Sequence, residues 1–281
     1  MSTTARPRRR LGDFVLAGIS ILVLLYLFMP IITIVAFSFN DPAGKFNLKW
    51  SGFTLSNWSD PFAGGDLLDA MVYSIKIAII ASLAATVIGG LVALALSRYR
   101  FRGGSLINLF LVLPLTTPEV VLGASLLNFF VAQDEKILFV DVSRGFRTIL
   151  VSHILFCVSF VAMTVKARVR GFDWSLEDAA MDLGAPPLRV FAKVTFPLIV
   201  PGILAAALLS FALSIDDYII TTMVRDVGGE PTFPLYIAGA FQREVSPQIN
   251  VLSTLVLVIS VTLMASGSVF GAFRQRRAAA A

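Results

Sequence analysis

Three carboxylates, Glu119, Asp216 and Asp217, fall inside long apolar runs of this chain. On insertion scales a charged residue at the centre of a bilayer costs roughly 2.5–3.5 kcal/mol, so three at mid-depth would cost about 7–10 kcal/mol. That is comparable to the stability of a whole domain. The acids must therefore face water, a cation or another chain. Ser210, Ser214, Asp217 and Thr221 are spaced 4, 3 and 4 apart, which on a continuous helix makes one polar stripe. Asp217 is assigned to a solute path on that spacing. The other reading is a carboxylate paired to Lys or Arg, or an acid at a span end. Asp216 lies about 100° away, beside Leu209, Leu213 and Ile220, and is expected to meet a neighbouring helix or partner chain. Thr116, Glu119 and Gly123 form a weaker stripe. Glu119 could instead serve backbone groups freed by Pro114 and Pro118. Counted along straight helices, Glu119 and Asp217 lie about 21 Å and 28 Å from the span starts. Two acids at similar depth suit a solute with separated positive charges, with Tyr218 as a cation–π wall. His153 and Cys157 share a helix face. With no second His or Cys in the chain, they read as a packed pair and not as a metal site. No nucleophile, base and orienting group cluster on one face, so no catalytic residue is assigned.

The elements that must hold these acids are membrane spans. The chain of 281 residues is 57% hydrophobic with mean hydropathy +0.82, above the roughly 45–50% of an ordinary soluble domain. Six apolar runs reach the ~20 residues a span needs: about 14–37, 70–96, 105–131, 148–165, 198–223 and 249–270. The expected fold is all-α and polytopic. Pro114 and Pro118 predict a kink in the third run. The net charge of +5 would suit nucleic acid until the charges are mapped. Segments assigned to the inner side hold 15 Lys and Arg, and outer loops hold 7. This positive-inside bias puts both termini in the cytoplasm and excludes a nucleic-acid partner. The domains are read as a basic segment at 1–13, a six-span body at 14–272 and a tail at 273–281.

One inner-side stretch is strongly punctuated. In Ser175 to Pro201, SLEDAAMDLGAPPLRVFAKVTFPLIVP, Ser175 and Asp178 read as a capping box. Gly184 is placed to end that helix in a left-handed turn. Pro186 and Pro187 suit the first turn of a second helix through Val190, Phe191 and Val194. Pro197 and Pro201 then open the fifth run.

At Asp178, Ala179, Ala180, Gly184, Phe196 and Pro197 this stretch resembles the cytoplasmic EAA loop of membrane subunits of binding-protein-dependent ABC importers. Asp178 stands where the family usually has Glu, and Phe196 where it has Leu or Ile; Glu177 lies one residue early and is a second candidate for the acid. On the outer side, WSGFTLSNW (Trp50 to Trp58) is similar to a stretch frequent in such permeases. Ser214 to Asp217, with SLEDAAMDLGA, resembles the spermidine/putrescine permeases, the second of their two permease types.

The resemblance implies a type I permease fold of six helices in a bacterial inner membrane, with a coupling loop at 168–197. Glu177, Asp178, Ala179, Ala180, Gly184, Phe191 and Pro197 would engage an ATPase. Asp217, Glu119, Ser214, Ser210, Asp216 and Tyr218 would meet a cationic polyamine. The implied partners are a homologous permease, two ATPase subunits carrying ATP and magnesium, and an extracytoplasmic binding protein. No cofactor is expected on this chain, which lacks a G-x-x-x-x-G-K-[ST] phosphate loop. Other cargoes on the same architecture (an amino acid, organophosphonate or metal) and an ion-coupled secondary transporter remain open at this point.

Overall fold

The computed structural model describes residues 11–63, 65–133, 136–137, 140–141, 143–243, 245–259 and 261–262. The arginines at positions 6–10, the end of the sixth run and the tail at 273–281 lie outside the described residues. The chain divides into two compact units, residues 1–65 with 240–281, and residues 66–239.

In the first unit α1 (Leu11–Phe37) is apolar on every side. Nothing among the described residues buries its most apolar stretch. The loop after it folds around three asparagines. Asn40 donates to Asn47 Oδ1 at 2.6 Å and to Lys49 O at 2.8 Å. Asn57, on the short α2 (Ser56–Ser59), donates to Asn40 O at 2.8 Å. Phe39 stacks between Phe53 and Trp58. The Trp50-to-Trp58 stretch is thus a knit loop whose buried amides are paired, as buried polar groups must be.

The second unit is built around α6 (Phe146–Val169), whose buried residues run from Thr148 to Val169. Before it come α3 (Gly65–Arg98), α4 (Gly104–Thr116), α5 (Glu119–Ala132) and a two-stranded ribbon, β1 (Lys136–Ile137) with β2 (Val140–Asp141). After it come α7 (Ser175–Asp182), α8 (Pro187–Val190), a π-helical turn Phe191–Thr195, α9 (Phe196–Asp216), α10 (Ile219–Val224) and α11 (Phe233–Arg243). Helices α4, α5, α9 and α10 all touch α6. A Cβ on Gly89 of α3 would sit 2.8 Å from Val158 O of α6. Only glycine permits that approach.

Among the described residues the regular structure is helical apart from the ribbon, as expected, but fewer than six unbroken spans are seen there. Among the described residues four helices are long and apolar enough to cross a membrane: Phe14–Phe37, Asp66–Arg98, Phe146–Val169 and Pro187–Asp216. The third run is broken, α4 meeting α5 at a bend of 114°. Pro118 is the cause. The residue before a proline is driven out of the helical region, and Thr117 is extended (φ −80, ψ 131). The fifth run also breaks. Asp217 is extended (φ −65, ψ 123) and α10 starts afresh. Of the sixth run, a helix over Pro247–Ile259 is described.

Candidate functional site

The break between α9 and α10 is made by the side chain of Asp217. Its carboxylate accepts from the backbone N–H of Thr221 at 2.8 Å and of Ile220 at 3.3 Å, and from Thr221 Oγ1 at 2.7 Å. Asp217 stands one residue before the N-cap Tyr218, and these bonds offer the backbone an alternative to continuing the helix. His153 of α6 reaches the same place. Its Nε2 lies 2.9 Å from Thr221 Oγ1 and 3.3 Å from Asp217 Oδ2, and its Nδ1 lies 2.7 Å from Ser214 Oγ. Thr221 gives its only hydroxyl proton to Asp217, so it accepts from Nε2–H. One imidazole therefore joins both halves of the broken helix and the acid at the break.

This geometry differs from the continuous stripe drawn from helical spacing. Asp217's side chain is only 5% exposed and fully partnered. Ser214 bonds His153, and the Ser210 hydroxyl is buried without a hydrogen-bond partner. The stripe faces α6. Asp216, Tyr218 and Glu119 are the exposed groups. Glu119 stands at the first turn of α5, and Asp216 at the last residue of α9. Each open carboxylate thus marks one of the two broken spans, and α5 packs against α10. The straight-helix depths for Glu119 and Asp217 lapse with the breaks. His153 is not merely packed on Cys157, whose thiol instead points to Ser210 O at 3.6 Å. The cue in the sequence was a histidine in an apolar helix, which must find polar partners.

The second region is the elbow. Gly184 ends α7 at φ +83. Ala185 N–H bonds Ala180 O at 3.1 Å and Gly184 N–H bonds Met181 O at 2.8 Å. That pair of bonds is a Schellman motif. The start differs from expectation. Ser175 caps nothing with its hydroxyl; Asp173 accepts from Ser175 N at 3.0 Å and Oγ at 2.8 Å. Those two bonds hold the Asp173 carboxyl below its usual range. The second helix is also not separate. From Pro187, at its first position, it runs through the π-helical turn into α9 as one 30-residue span. Pro197 and Pro201 are absorbed within it.

The coupling candidates divide in two. Asp178, Ala179, Gly184, Phe191 and Pro197 are exposed, and Ala180 is half-buried. With Leu183 and Leu188, 90% and 85% exposed, they leave an apolar tip edged by Asp182, Arg189 and Lys193. Glu177 points the other way. Its side chain is 3% exposed and pairs with Arg98 of α3 at 2.7 Å. Thr195 Oγ1 donates to its second oxygen. The Arg98 guanidinium lies over the rings of Trp174 and Tyr99, 5.7 and 5.8 Å from their centroids. Glu177 cannot take Asp178's place on the outside of the elbow.

The chain is an apolar helical body that carries an exposed elbow with a Schellman end. In fold it is similar to a chain of a bacterial ABC transporter involved in the import of the acidic polysaccharide alginate. The TM-score is 0.64 over 93% of this chain and 99% of that one, at 16% identity. Residues 85–279 match the family of binding-protein-dependent transport system inner membrane components, and the chain belongs to that family. Among its relatives is the spermidine/putrescine transport system permease protein PotC of Haemophilus influenzae, 36% identical over 85% of this chain and 89% of that one. The putrescine transport system permease protein PotI of Escherichia coli is 37% identical over 83% and 82%. The chain is accordingly a multi-pass membrane transport subunit and not itself an enzyme.

Proposed function

We propose that this chain is one of two permease subunits of an ATP-driven importer that carries a cationic polyamine, putrescine or spermidine, into the cytoplasm. Similarity over most of the chain to PotC and PotI supports the cargo. The two carboxylates left open at span breaks, Glu119 and Asp216, supply the matching chemistry. An amine solute that has shed water needs charged acceptors, and the ring of Tyr218 adds a cation–π surface. Asp217, Ser214 and Ser210 act behind them, holding the break in shape. The body has six spans of type I arrangement, with both termini in the cytoplasm. A binding protein delivers solute from outside. A pair of ATPase subunits, which bind ATP and magnesium, seats on the exposed face of the elbow at Asp178, Ala179, Ala180, Gly184, Phe191 and Pro197. Closure of that pair moves the elbow, and the path opens outward and then inward.

The test is the assembled complex in vesicles, with its second permease, ATPase and binding protein, read by ATP-driven uptake of labelled putrescine and spermidine. Changing Glu119→Gln with Asp216→Asn should raise the KM for transport about tenfold or more, the scale of a lost charged hydrogen bond. Undiminished uptake in that variant removes both acids from the path. Failure of the wild-type complex to carry either polyamine removes the cargo.

A further inference from the structure

The ion pair Glu177–Arg98 lies on the inward side of the elbow, away from its exposed face. Glu177 sits in the first turn of α7 and points into the chain. One carboxylate oxygen takes Arg98 Nη2 at 2.7 Å, from the last residue of α3. The other takes the hydroxyl of Thr195, the last residue of the π-helical turn that leads into α9. A single side chain therefore ties three elements: the elbow's first helix and the inner ends of two long apolar helices. Arg98 is held in turn between Trp174, immediately before α7, and Tyr99, immediately after α3. The π-helical turn is also the part of that span with the loosest helical register. Phe196 N–H bonds back five residues to Phe191 O. Such turns are rare and frequent at functional sites.

Without this tie, α7 would be held by its packing on α8 and the π-helical turn and by the short connections at 170–174 and 183–186. A push on its exposed face could then be absorbed by those connections. With it, α7 and the inner ends of α3 and α9 form one body. We propose that Glu177, with Arg98 and Thr195, is the positioning residue that turns displacement of the elbow into movement of the spans at Asp66–Arg98 and Pro187–Asp216. The proposal rests on the elbow being the seat of the ATPase, and it assigns Glu177 to the inside of that joint.

The experiment uses the full complex in vesicles and reads solute transported per ATP hydrolysed, together with the amount of ATPase that co-purifies. Glu177→Gln removes the charge and keeps an acceptor for Thr195. It should leave co-purification and ATP hydrolysis near wild type and lower the transport-to-hydrolysis ratio at least about five-fold, the lower end of ordinary coupling effects. Arg98→Lys, which keeps the charge, should restore most of the ratio that Arg98→Met loses. Thr195→Val is the milder companion if Glu177→Gln fails to assemble, and should lower the ratio about two-fold. An unchanged ratio in Glu177→Gln, or in Thr195→Val where that stands in for it, overturns the proposal. So does loss of ATPase from an intact Glu177→Gln permease pair, because Glu177 would then be a docking contact. A wild-type complex that hydrolyses ATP but carries no polyamine sinks the cargo reading and leaves this one standing for whatever solute is carried.

Discussion

Glu177 and Asp217 are both buried carboxylates with every oxygen engaged, yet they are satisfied in opposite ways. Glu177 meets a full positive charge, Arg98, whose side chain keeps 37% of its surface open. Asp217 meets hydroxyl and backbone donors of Thr221, the Ile220 amide and an imidazole. At the water-facing end of a span an arginine can reach a buried acid and still touch solvent, the snorkelling open to long side chains. At a break inside an apolar run that route is closed, and a helix N-terminus does the work instead. The first arrangement joins separate elements across space. The second divides one helix into two. An acid in an apolar stretch is therefore no pointer to a transport path until its partners are known, and here the two open acids, Glu119 and Asp216, are the ones without such partners among the described residues.

The sharpest way to break the contrast is at the ion pair. Its partners are unequally buried, so removing them is not equivalent. Arg98→Met leaves Glu177 charged and enclosed, and should cost about 3 kcal/mol, the lower end of the range for an orphaned buried charge. Glu177→Gln leaves an arginine free to turn to water and should cost about 1 kcal/mol. Thermal unfolding of the purified complex distinguishes them. Equal losses would mean that Glu177 is not enclosed once its partners assemble.

The break is more forgiving. Asp217→Ala removes the cap and the histidine's neighbour together and should cost about 1–2 kcal/mol. Asp217→Asn keeps an acceptor for the Thr221 N–H, and Asn caps about as well as Asp. Its stability and its polyamine uptake should both stay near wild type. A stable Asp217→Asn complex that no longer transports would return Asp217 to the path and make the two carboxylates alike in serving function directly.

What could be read in advance follows from the range of the interaction. The elbow's end at Gly184, the proline start at Pro187 and the apolar runs near 14–37, 70–96 and 148–165 are local, and the structure has them. The bend at Pro118 was legible as a kink, but its 114° was not, because proline sets the break and packing against α6 and α10 sets the angle. The stripe argument for Asp217 assumes that helical spacing continues through it, and the helix breaks there. Four residues with perfect stripe spacing do share a face, but a capping side chain can break the helix they sit on. The links Glu177–Arg98 and His153–Ser214 join residues 79 and 61 positions apart, and no local pattern announces either.

The elbow's backbone offers an intermediate effect. Gly184 has φ +83 with open space where a Cβ would go, so the penalty for a side chain there is conformational alone. Gly184→Val should cost about 1–2 kcal/mol locally and reduce ATPase co-purification while leaving the α9–α10 break untouched. A variant that binds ATPase normally would show that the exposed tip tolerates a changed turn.

The smallest effect expected is at Asp173, a third carboxylate that accepts hydrogen bonds at the start of a helix, as Asp217 does, but in open water. Hydrogen bonds from Ser175 lower its pKa in the folded chain, so the cap contributes fully above the unfolded value of about 3.9 and is lost as pH falls through the lower, folded one. Protection of the first-turn amides of α7 against hydrogen exchange, corrected for intrinsic rate, should be flat from neutral pH down to the ordinary carboxylate range and should fall only below it. Asp173→Asn should remove that acid dependence and keep most of the protection, since the amide oxygen can still accept. Protection that declines already near neutral pH would mean that some group other than Asp173 holds the start of α7, and that exposed and buried caps in this chain do not obey one rule.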